Sequence, residues 1–227
     1  MKGQALLIDL DGTLTDPFEG IARCIVHALE ALGAPLPDTR ALRGWIGPPI
    51  TDSFADWFAQ TGVAANVDEA LHIYRQRFAS RGLFENTVYP GVPEALDELA
   101  DHGFRLFVAT SKPGVFARRI LDHFGLSERF EGIYGSELDG TRVDKVELLD
   151  YLLGREALDA DRSAMIGDRE HDMRAARYHE LAALGVLWGF GSAAELREAG
   201  AQWLVAEPRQ LLPALLESAL RGGLPSV

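Results

Sequence analysis

Short apolar runs alternate with longer amphipathic segments along most of this chain. The run Ala5–Ile8 has no polar residue, a pattern typical of a strand that is buried on both faces. From residue 105 onward, such runs alternate with segments whose apolar residues recur every three or four positions, which predicts amphipathic helices. This order favours an α/β fold with a parallel sheet and helices on both of its faces. The strands predicted in this part are 105–109, 132–135, 162–166, 182–187 and 203–205, and the helices are 114–124, 145–153, 170–179, 193–199 and 209–220.

The stretch between the first two predicted strands is too long for an ordinary crossover. A strand–helix–strand unit needs about 30 residues, whereas more than ninety separate Asp11 from Arg105. Helical spacing runs through this stretch, so it is not an irregular loop. We therefore predict an α-helical cap domain at 16–85, inserted into a Rossmann-like core formed by 1–15 and 86–227. The helices predicted between the two strands are 18–32, 51–61, 67–80 and 93–102.

Two carboxylates follow the first predicted strand. Asp9 and Asp11 are two positions apart, so an extended chain would direct both side chains to the same side. Gly12 and Thr13 then favour a tight turn. Two acids at a buried strand end are costly unless positive charge lies beside them, and a divalent cation would meet that need. One acid could then attack an electrophile while the other transfers protons, although two solvated acids capping a strand are the simpler interpretation.

Composition narrows the classes of partner. The formal net charge of −12 argues against general nucleic-acid binding, which requires a basic surface. The single cysteine, Cys24, excludes an internal disulfide framework. No signal peptide is visible, and the longest uncharged apolar stretch, 181–194, is too short and too rich in glycine to span a bilayer. We expect a cytoplasmic protein, monomeric or homodimeric, with no nucleic-acid or membrane partner.

Two further parts of the sequence carry hydroxyl groups and lysines that could bind an anion. Thr110, Ser111 and Lys112 directly follow the predicted strand 105–109. Hydroxyl and backbone N–H groups at such a point can hold an anion, or they can simply cap the next helix. Lys145 begins a predicted helix, where its charge opposes the helix dipole. A specific partner would explain that placement, although an exposed surface lysine is the usual interpretation.

Two more carboxylates follow the predicted strand 162–166. Asp168 lies just beyond the strand, and Asp172 is four positions further on. The two side chains would share one face if the helix has already begun at Asp168. Acids in this position can also serve only as helix caps. Asp168 and Asp172 can belong to a functional site only if the fold brings them close to Asp9.

Four motifs in this order resemble those of the haloacid dehalogenase (HAD) phosphatase superfamily. The string Asp9-Leu10-Asp11-Gly12-Thr13-Leu14-Thr15 resembles the first motif, Thr110 the second and Lys145 the third. The string Gly167-Asp168-Arg169-Glu170-His171-Asp172 resembles the fourth, Gly-Asp-x-x-x-Asp. The family often has Asn where this chain has Ser111. The segments 44–49 and 186–191 look like those of the phosphoglycolate phosphatase and 5′-nucleotidase-like branch.

The resemblance implies a phosphatase that acts on a small phosphate ester, with Mg²⁺ as cofactor. Asp9 would attack phosphorus and form an aspartyl-phosphate, and Asp11 would serve as general acid and then general base. Lys145 and the Thr110 hydroxyl would stabilise charge on the transferring group. The metal ligands implied are Asp9, Asp11 through its backbone carbonyl, Asp168 and Asp172, the last near the metal and often through water. The phosphate- and substrate-binding candidates are Thr110, Ser111, Lys112, Lys145 and, in the cap, Arg43 and Gly47.

Other chemistries of the superfamily fit the sequence less well. A dehalogenase would lack the second acid and need no metal, and a phosphonate hydrolase would use a cap lysine, whereas 16–85 contains no lysine. A phosphomutase or phosphotransferase using the same aspartyl-phosphate stays open as the alternative. A non-catalytic protein that binds a phosphorylated ligand is the least favoured, because every catalytic position is filled.

Overall fold

The computed structural model of the chain describes residues 4–220. Its strands are β1 (Ala5–Ile8), β2 (Thr15–Asp16), β3 (Thr87–Val88), β4 (Arg105–Pro113), β5 (Gly132–Ser136), β6 (Ser163–Gly167), β7 (Ala182–Val186) and β8 (Trp203–Val205). Its α-helices are α1 (Phe18–Ala31), α2 (Thr39–Gly44), α3 (Ile50–Thr61), α4 (Val67–Arg77), α5 (Val92–Asp101), α6 (Gly114–His123), α7 (Lys145–Glu156), α8 (Glu170–Tyr178), α9 (Ala193–Ala199) and α10 (Leu211–Leu220).

Strand β1 lies at the centre of a six-stranded sheet with the order β5-β4-β1-β6-β7-β8. All five strand pairs are parallel. Ala5 of β1 lies opposite Arg105 of β4 and Ser163 of β6. Every residue of β1 is buried, as expected for a strand covered on both faces. The predicted α/β fold with a Rossmann-like parallel sheet is confirmed. Because parallel strands end at the same edge, the residues after β1, β4 and β6 meet there.

Helix α7 carries Lys145 to that edge. Its first turn is capped by Asp144, whose Oδ1 accepts hydrogen bonds from the backbone N–H groups of Val146 at 2.8 Å and Glu147 at 3.2 Å. The apolar face of α7 packs into the core beside the sheet, and each fully buried leucine contributes about 1.5–3 kcal/mol. The position of Lys145 therefore follows from a capped helix start and a packed helix face. The fully buried leucines of α7 are Leu148, Leu149 and Leu152.

The chain divides into two compact units, one formed by Met1–Thr15 with Val88–Val227 and the other by Asp16–Thr87. The first unit contains the six-stranded sheet. The second contains helices α1 to α4. The short strands β2 and β3 pair with each other and contain the two points at which the chain passes between the units.

The interior of the second unit is aromatic. Phe54 is fully buried, and its ring lies edge-on to Trp45 at 5.4 Å and to Tyr74 at 6.2 Å. Tyr74 stacks on Phe78 at 5.4 Å. Such rings bury a large apolar area and prefer these edge-on and offset geometries. Helices α3 and α4 are therefore held together through aromatic contacts.

A tight backbone contact and a paired arginine hold helix α1 against the end of α4. Helix α4 continues into a π-helical turn, Phe78–Gly82, and a Cβ on Gly20 of α1 would overlap the Gly82 carbonyl oxygen. Arg77 donates to both carboxylate oxygens of Glu85, at 2.7 and 3.1 Å, and to the Cys24 sulfur at 3.1 Å. Hydrogen bonding from Arg77 holds the pKa of Glu85 below its usual range.

Several elements differ from the sequence predictions, among them the short strands β2 and β3, which were not predicted. Helix α2 was not predicted, because its six residues are too few to show a helical period. Helix α4 ends at Arg77 rather than at 80, since the π-helical turn takes over. Strand β4 continues to Pro113 rather than ending at 109, with an irregular register between Thr110 and Pro113. Among the described residues, no helix is long and apolar enough to cross a membrane.

Candidate active site

A buried lysine joins two of the predicted acids. The Lys145 ammonium donates to Oδ1 of Asp9 at 2.8 Å and to the carbonyl oxygen of Ala109 at 2.8 Å. It also pairs with Oδ1 of Asp172 at 2.9 Å. Only 5% of the Lys145 side chain is exposed. Burial alone would lower the pKa of Lys145, but the charges of Asp172 and Asp9 raise it above its ordinary value.

Three buried carboxylates surround this lysine. Among the described residues, Asp9, Asp168 and Asp172 each offer one oxygen, and these oxygens lie within 4.8 Å of one another. Burial, followed by the charges of Asp172 and Asp9, raises the pKa of Asp168 well above its ordinary value. Burial also raises the pKa of Asp172 to about 6, although the charge of Lys145 opposes the rise. The cluster therefore holds more negative charge than Lys145 offsets.

This donor set fits a hard divalent cation. All three ligand atoms are carboxylate oxygens, which Mg²⁺ and similar ions prefer over nitrogen or sulfur. A cation would offset the excess charge of Asp9, Asp168 and Asp172 that burial makes costly. The cluster is thus a candidate metal centre on both its chemistry and its electrostatics.

Asp168 and Asp172 come together differently from the prediction. Helix α8 begins at Glu170, so Asp168 precedes the helix and does not share a helical face with Asp172. Asp172 lies in the first turn, where its Oδ2 accepts from the backbone N–H of Arg169 at 3.1 Å. Strand β6 brings Asp168 to the sheet edge, and the capped turn of α8 brings Asp172 beside it.

Asp11 faces a second lysine. Lys112 pairs with Oδ2 of Asp11 at 2.7 Å, and both side chains are largely buried. Oδ1 of Asp11 is buried without a hydrogen-bond partner among the described residues. Burial raises the pKa of Asp11, and Lys112 opposes that rise. The Asp11 carboxylate is not one of the three clustered ligands, so its predicted role through the backbone carbonyl stays a prediction.

The hydroxyl predicted to bind phosphate is buried at the end of the regular part of β4. The Thr110 side chain accepts a hydrogen bond from the Lys112 backbone N–H at 3.3 Å, and only 2% of the residue is exposed. The carbonyl of Ser111 accepts from the Ser136 hydroxyl at 2.8 Å, which ties this segment to β5. Thr110 and Ser111 therefore lie in a bulged, hydrogen-bonded segment beside the Lys112–Asp11 pair.

The two cap candidates lie in the second unit. The Arg43 guanidinium lies over the Phe18 ring, 4.8 Å from its centre. Gly47 has a φ of 107°, a backbone conformation that favours glycine. Their predicted contact with substrate stays a prediction.

Sequence reasoning noted the segment 186–191 only as a resemblance and missed its contacts with Asp168 and Thr13. The backbone N–H of Phe190 donates to Oδ2 of Asp168 at 2.7 Å, and the Trp188 indole donates to the Thr13 carbonyl at 2.9 Å. The Thr13 hydroxyl approaches Oδ1 of Asp168 at 3.4 Å. The contact with Asp168 is made by a backbone N–H, which any residue but proline supplies, so the residue type at 190 does not reveal it. The paired glycines, Gly189 and Gly191, were the available sequence signal.

A parallel α/β sheet that gathers four acids and two lysines at its carboxyl edge defines an enzyme of the phosphoryl-transfer type. The haloacid dehalogenase-like hydrolase family model matches residues 6–186. The chain belongs to this family, as the sequence motifs predicted.

Relatives and solved structures agree with this assignment. A 5′-nucleotidase from Pseudomonas aeruginosa is 50% identical over 192 residues, which cover 85% of this chain and 86% of the relative. The tyrosine-protein kinase PtkA of Mycobacterium tuberculosis is 38% identical over 190 residues, 84% of this chain and 64% of that protein. The structure of a predicted phosphatase from Clostridium acetobutylicum is 38% identical, with a TM-score of 0.88 over 96% of this chain and 100% of that one. The predicted enzyme class, a phosphoric monoester hydrolase, is confirmed.

Proposed function

We propose that this protein is a Mg²⁺-dependent phosphatase that hydrolyses a small phosphate monoester through an aspartyl-phosphate on Asp9. The observation that carries the proposal is the contact of the Lys145 ammonium with Asp9 at 2.8 Å and Asp172 at 2.9 Å, within the cluster that also contains Asp168. A carboxylate held beside a buried cation is restrained in position for attack.

Each residue has a distinct part in the proposed reaction. The Asp9 carboxylate attacks phosphorus and displaces the alcohol, whose oxygen takes a proton from Asp11. Asp11 then removes a proton from water, which attacks the phosphoryl group and releases phosphate. Lys145 and the Thr110 hydroxyl balance the charge on the transferring group. The raised pKa of Asp11 suits a group that must hold a proton in one step and release it in the next.

The metal would be held by Asp9, Asp168 and Asp172, with the Asp11 carbonyl as a further ligand. When bound, Mg²⁺ would neutralise negative charge on the Asp9 nucleophile and on the phosphoryl group. In this arrangement Lys145 pairs with both Asp9 and Asp172 and offsets the repulsion between them. Asp168 is held by Phe190 and Thr13.

The substrate proposal starts from one of the named relatives. A nucleoside monophosphate is the first candidate, because a 50% identical protein is named 5′-nucleotidase. Phosphoglycolate and sugar phosphates are the other candidates. We propose that the unit Asp16–Thr87 acts as the cap that selects the leaving group, with Arg43 and Gly47 in the selecting loop.

Hydrolysis of p-nitrophenyl phosphate and of a panel of natural esters tests the proposal. The parent protein should hydrolyse esters in the presence of Mg²⁺, and hydrolysis should stop when a chelator is added. The variant Asp9→Asn should lose at least about a thousandfold in kcat, because the amide cannot act as the nucleophile. The control Asp150→Asn changes an exposed acid of helix α7 and should match the parent. Parent-like turnover by Asp9→Asn would exclude the aspartyl-phosphate.

A phosphotransferase remains the second candidate, because one relative is named a tyrosine-protein kinase. The same acyl phosphate on Asp9 could pass its phosphoryl group to an acceptor other than water, which would release the Asp9 carboxylate. Turnover measured with and without a bisphosphate activator, and with a tyrosine-containing peptide as acceptor, separates the cases. Release of inorganic phosphate in equal amount to the alcohol product, with no phosphorylated acceptor, supports the phosphatase.

A further inference from the structure

The Asp168 carboxylate is enclosed by backbone rather than by side chains. Gly12 lies on one side, and a Cβ added there would overlap both oxygens of Asp168. A Cβ on Gly189 would overlap the Asp168 side chain and the Gly12 carbonyl oxygen, and one on Gly191 would overlap the Asp168 carbonyl oxygen. Asp168 itself has no exposed surface. Three glycines thus make room for two chain segments to close directly over this carboxylate.

Two hydrogen bonds fix the segment Trp188–Gly191, which we call the backbone clamp. Its Phe190 N–H donates to Oδ2 of Asp168 at 2.7 Å. Its Trp188 indole donates to the carbonyl of Thr13 at 2.9 Å, across 175 residues of sequence. The clamp therefore contacts both the turn after Asp11 and the acid after β6, the two places where ligand groups leave the sheet.

These contacts restrict the orientation of Asp168. One oxygen is held by the Phe190 N–H, and the neighbouring backbone leaves no space for the carboxylate to swing towards Gly12 or Gly189. The other oxygen is approached by the Thr13 hydroxyl at 3.4 Å, a longer and weaker contact. Hydrogen bonds that orient a ligand commonly change metal affinity by 10- to 100-fold when they are lost.

We propose that the backbone clamp is a positioning element of the metal centre, which holds Asp168 and the Gly12–Thr13 turn in the arrangement that binds a divalent cation. Trp188 is its positioning residue, and Gly189 is required because any side chain there displaces Asp168. The inference rests on the metal centre of the proposed function. It does not depend on which ester is hydrolysed.

A purely structural role for the clamp predicts a different outcome. If the segment only packs, a substitution there lowers the stability of the protein and leaves the metal affinity of the folded protein unchanged. If the clamp positions Asp168, the metal affinity falls in protein that is still folded. Metal binding without substrate therefore separates the two roles.

Calorimetric titration of the full-length protein with MgCl₂, in the absence of substrate, is the test. We expect Gly189→Ala to weaken Mg²⁺ binding by at least about tenfold. The matched control Gly154→Ala places the same methyl group in helix α7, where nothing lies within 4 Å, and should bind as the parent does. Circular dichroism and thermal unfolding establish that each variant is folded. A folded Gly189→Ala protein with Mg²⁺ affinity within twofold of the parent overturns the inference.

Trp188→Phe provides a second variant that keeps an aromatic ring but replaces the indole, with its N–H donor, by the smaller phenyl ring. We expect it to weaken Mg²⁺ binding by about threefold to tenfold, since the Thr13 carbonyl loses its donor. This variant decides the question if Gly189→Ala does not fold, and parent-like affinity then overturns the inference. A parent that binds Mg²⁺ but hydrolyses no ester would refute the proposed function and leave this test intact. A parent that binds no Mg²⁺ would refute the inference itself.

Discussion

At the scale of single residues, the site is dominated by the energetic cost of burying charged side chains. Lys145 contacts Asp9 and Asp172 at 2.8 and 2.9 Å with only 5% of its side chain exposed. Removing one member of a buried charged group leaves the others uncompensated, which costs about 3–5 kcal/mol. Lys145 therefore keeps the buried acids compatible with folding, in addition to the neutralisation of the reacting group that we propose for it.

The variant Lys145→Met tests both duties. We expect kcat to fall by about 10²–10³, because the charge that faces the transferring group is lost. Lys145→Arg should not restore activity, since a planar guanidinium cannot occupy a pocket whose three acceptors lie 2.8–2.9 Å from one amine. Steady-state kinetics with a saturating ester measures the effect. The exposed Arg197→Met is the control for loss of one positive charge. A Lys145→Met enzyme as fast as the parent would contradict the assignment.

The sequence predicts some of these residues well and others not at all. Asp9, Lys145 and Asp168 stand out because each is a charged residue at the end of a predicted strand or the start of a predicted helix. Residue spacing cannot show that the Lys112 side chain turns to Asp11, because that pairing depends on the bulged end of β4. The Phe190 N–H leaves no trace in the residue type. Reactive side chains can thus be identified from the sequence, whereas backbone groups that donate hydrogen bonds to the site can be identified only from the folded structure.

At the scale of elements, the second unit depends on the close approach of helix α1 and the π-helical turn Phe78–Gly82. Gly20 is the third residue of α1, and glycine within a helix is less favourable than alanine by up to about 1 kcal/mol. Glycine is nevertheless needed at this position, because a Cβ would overlap the Gly82 carbonyl oxygen. The sequence predicts α1 from its apolar period. It does not predict the π-helical turn, because such turns depend on tertiary contacts.

Gly20→Ala should destabilise the protein despite its better helix propensity. We expect a net loss of about 1–3 kcal/mol, because the methyl group meets backbone that cannot rotate away. In a chain of this size that corresponds to a fall in Tm of about 2–10 °C. Thermal unfolding followed by circular dichroism measures it. Gly44→Ala in helix α2 is the control, with nothing within 4 Å of the added Cβ. An unchanged or raised Tm for Gly20→Ala would refute the close contact.

At the scale of the whole molecule, the buried acids connect metal binding, protonation and stability. Asp168 and Asp172 have pKa values raised by burial, the latter from an ordinary value of 3.8 to about 6. A carboxyl that binds its proton more tightly when folded stabilises the protein fully below its unfolded pKa. That contribution is lost as the pH rises through the folded pKa. The metal-free protein should therefore lose the contribution of Asp172 as the pH rises from its ordinary pKa of 3.8 through about 6.

Addition of Mg²⁺ should reverse that loss where the acids are ionised. We expect the rise in Tm caused by saturating Mg²⁺ to be larger at about pH 7.5 than at about pH 5.5, because protons compete for the same oxygens. Thermal unfolding with Mg²⁺ or chelator at both pH values measures the difference. Asp168→Asn, which removes one ionisable ligand, should show a smaller Mg²⁺ effect at the higher pH. Equal shifts at both pH values in the parent would contradict the linkage.

The position of β1 in the sheet has a consequence for biosynthesis. Ala5 pairs with Arg105 and Ser163, which are 100 and 158 residues further along the chain. At about 5–20 residues per second on the ribosome, the second neighbour is translated roughly 8–30 s after the first strand. The helical unit Asp16–Thr87 is complete long before then, so it can fold while the central strand still waits for its neighbours. Nascent chains of this protein therefore carry a wholly apolar strand that lacks its first neighbour until residue 105 is translated and its second until residue 163, and we expect that strand to be the segment that chaperones protect.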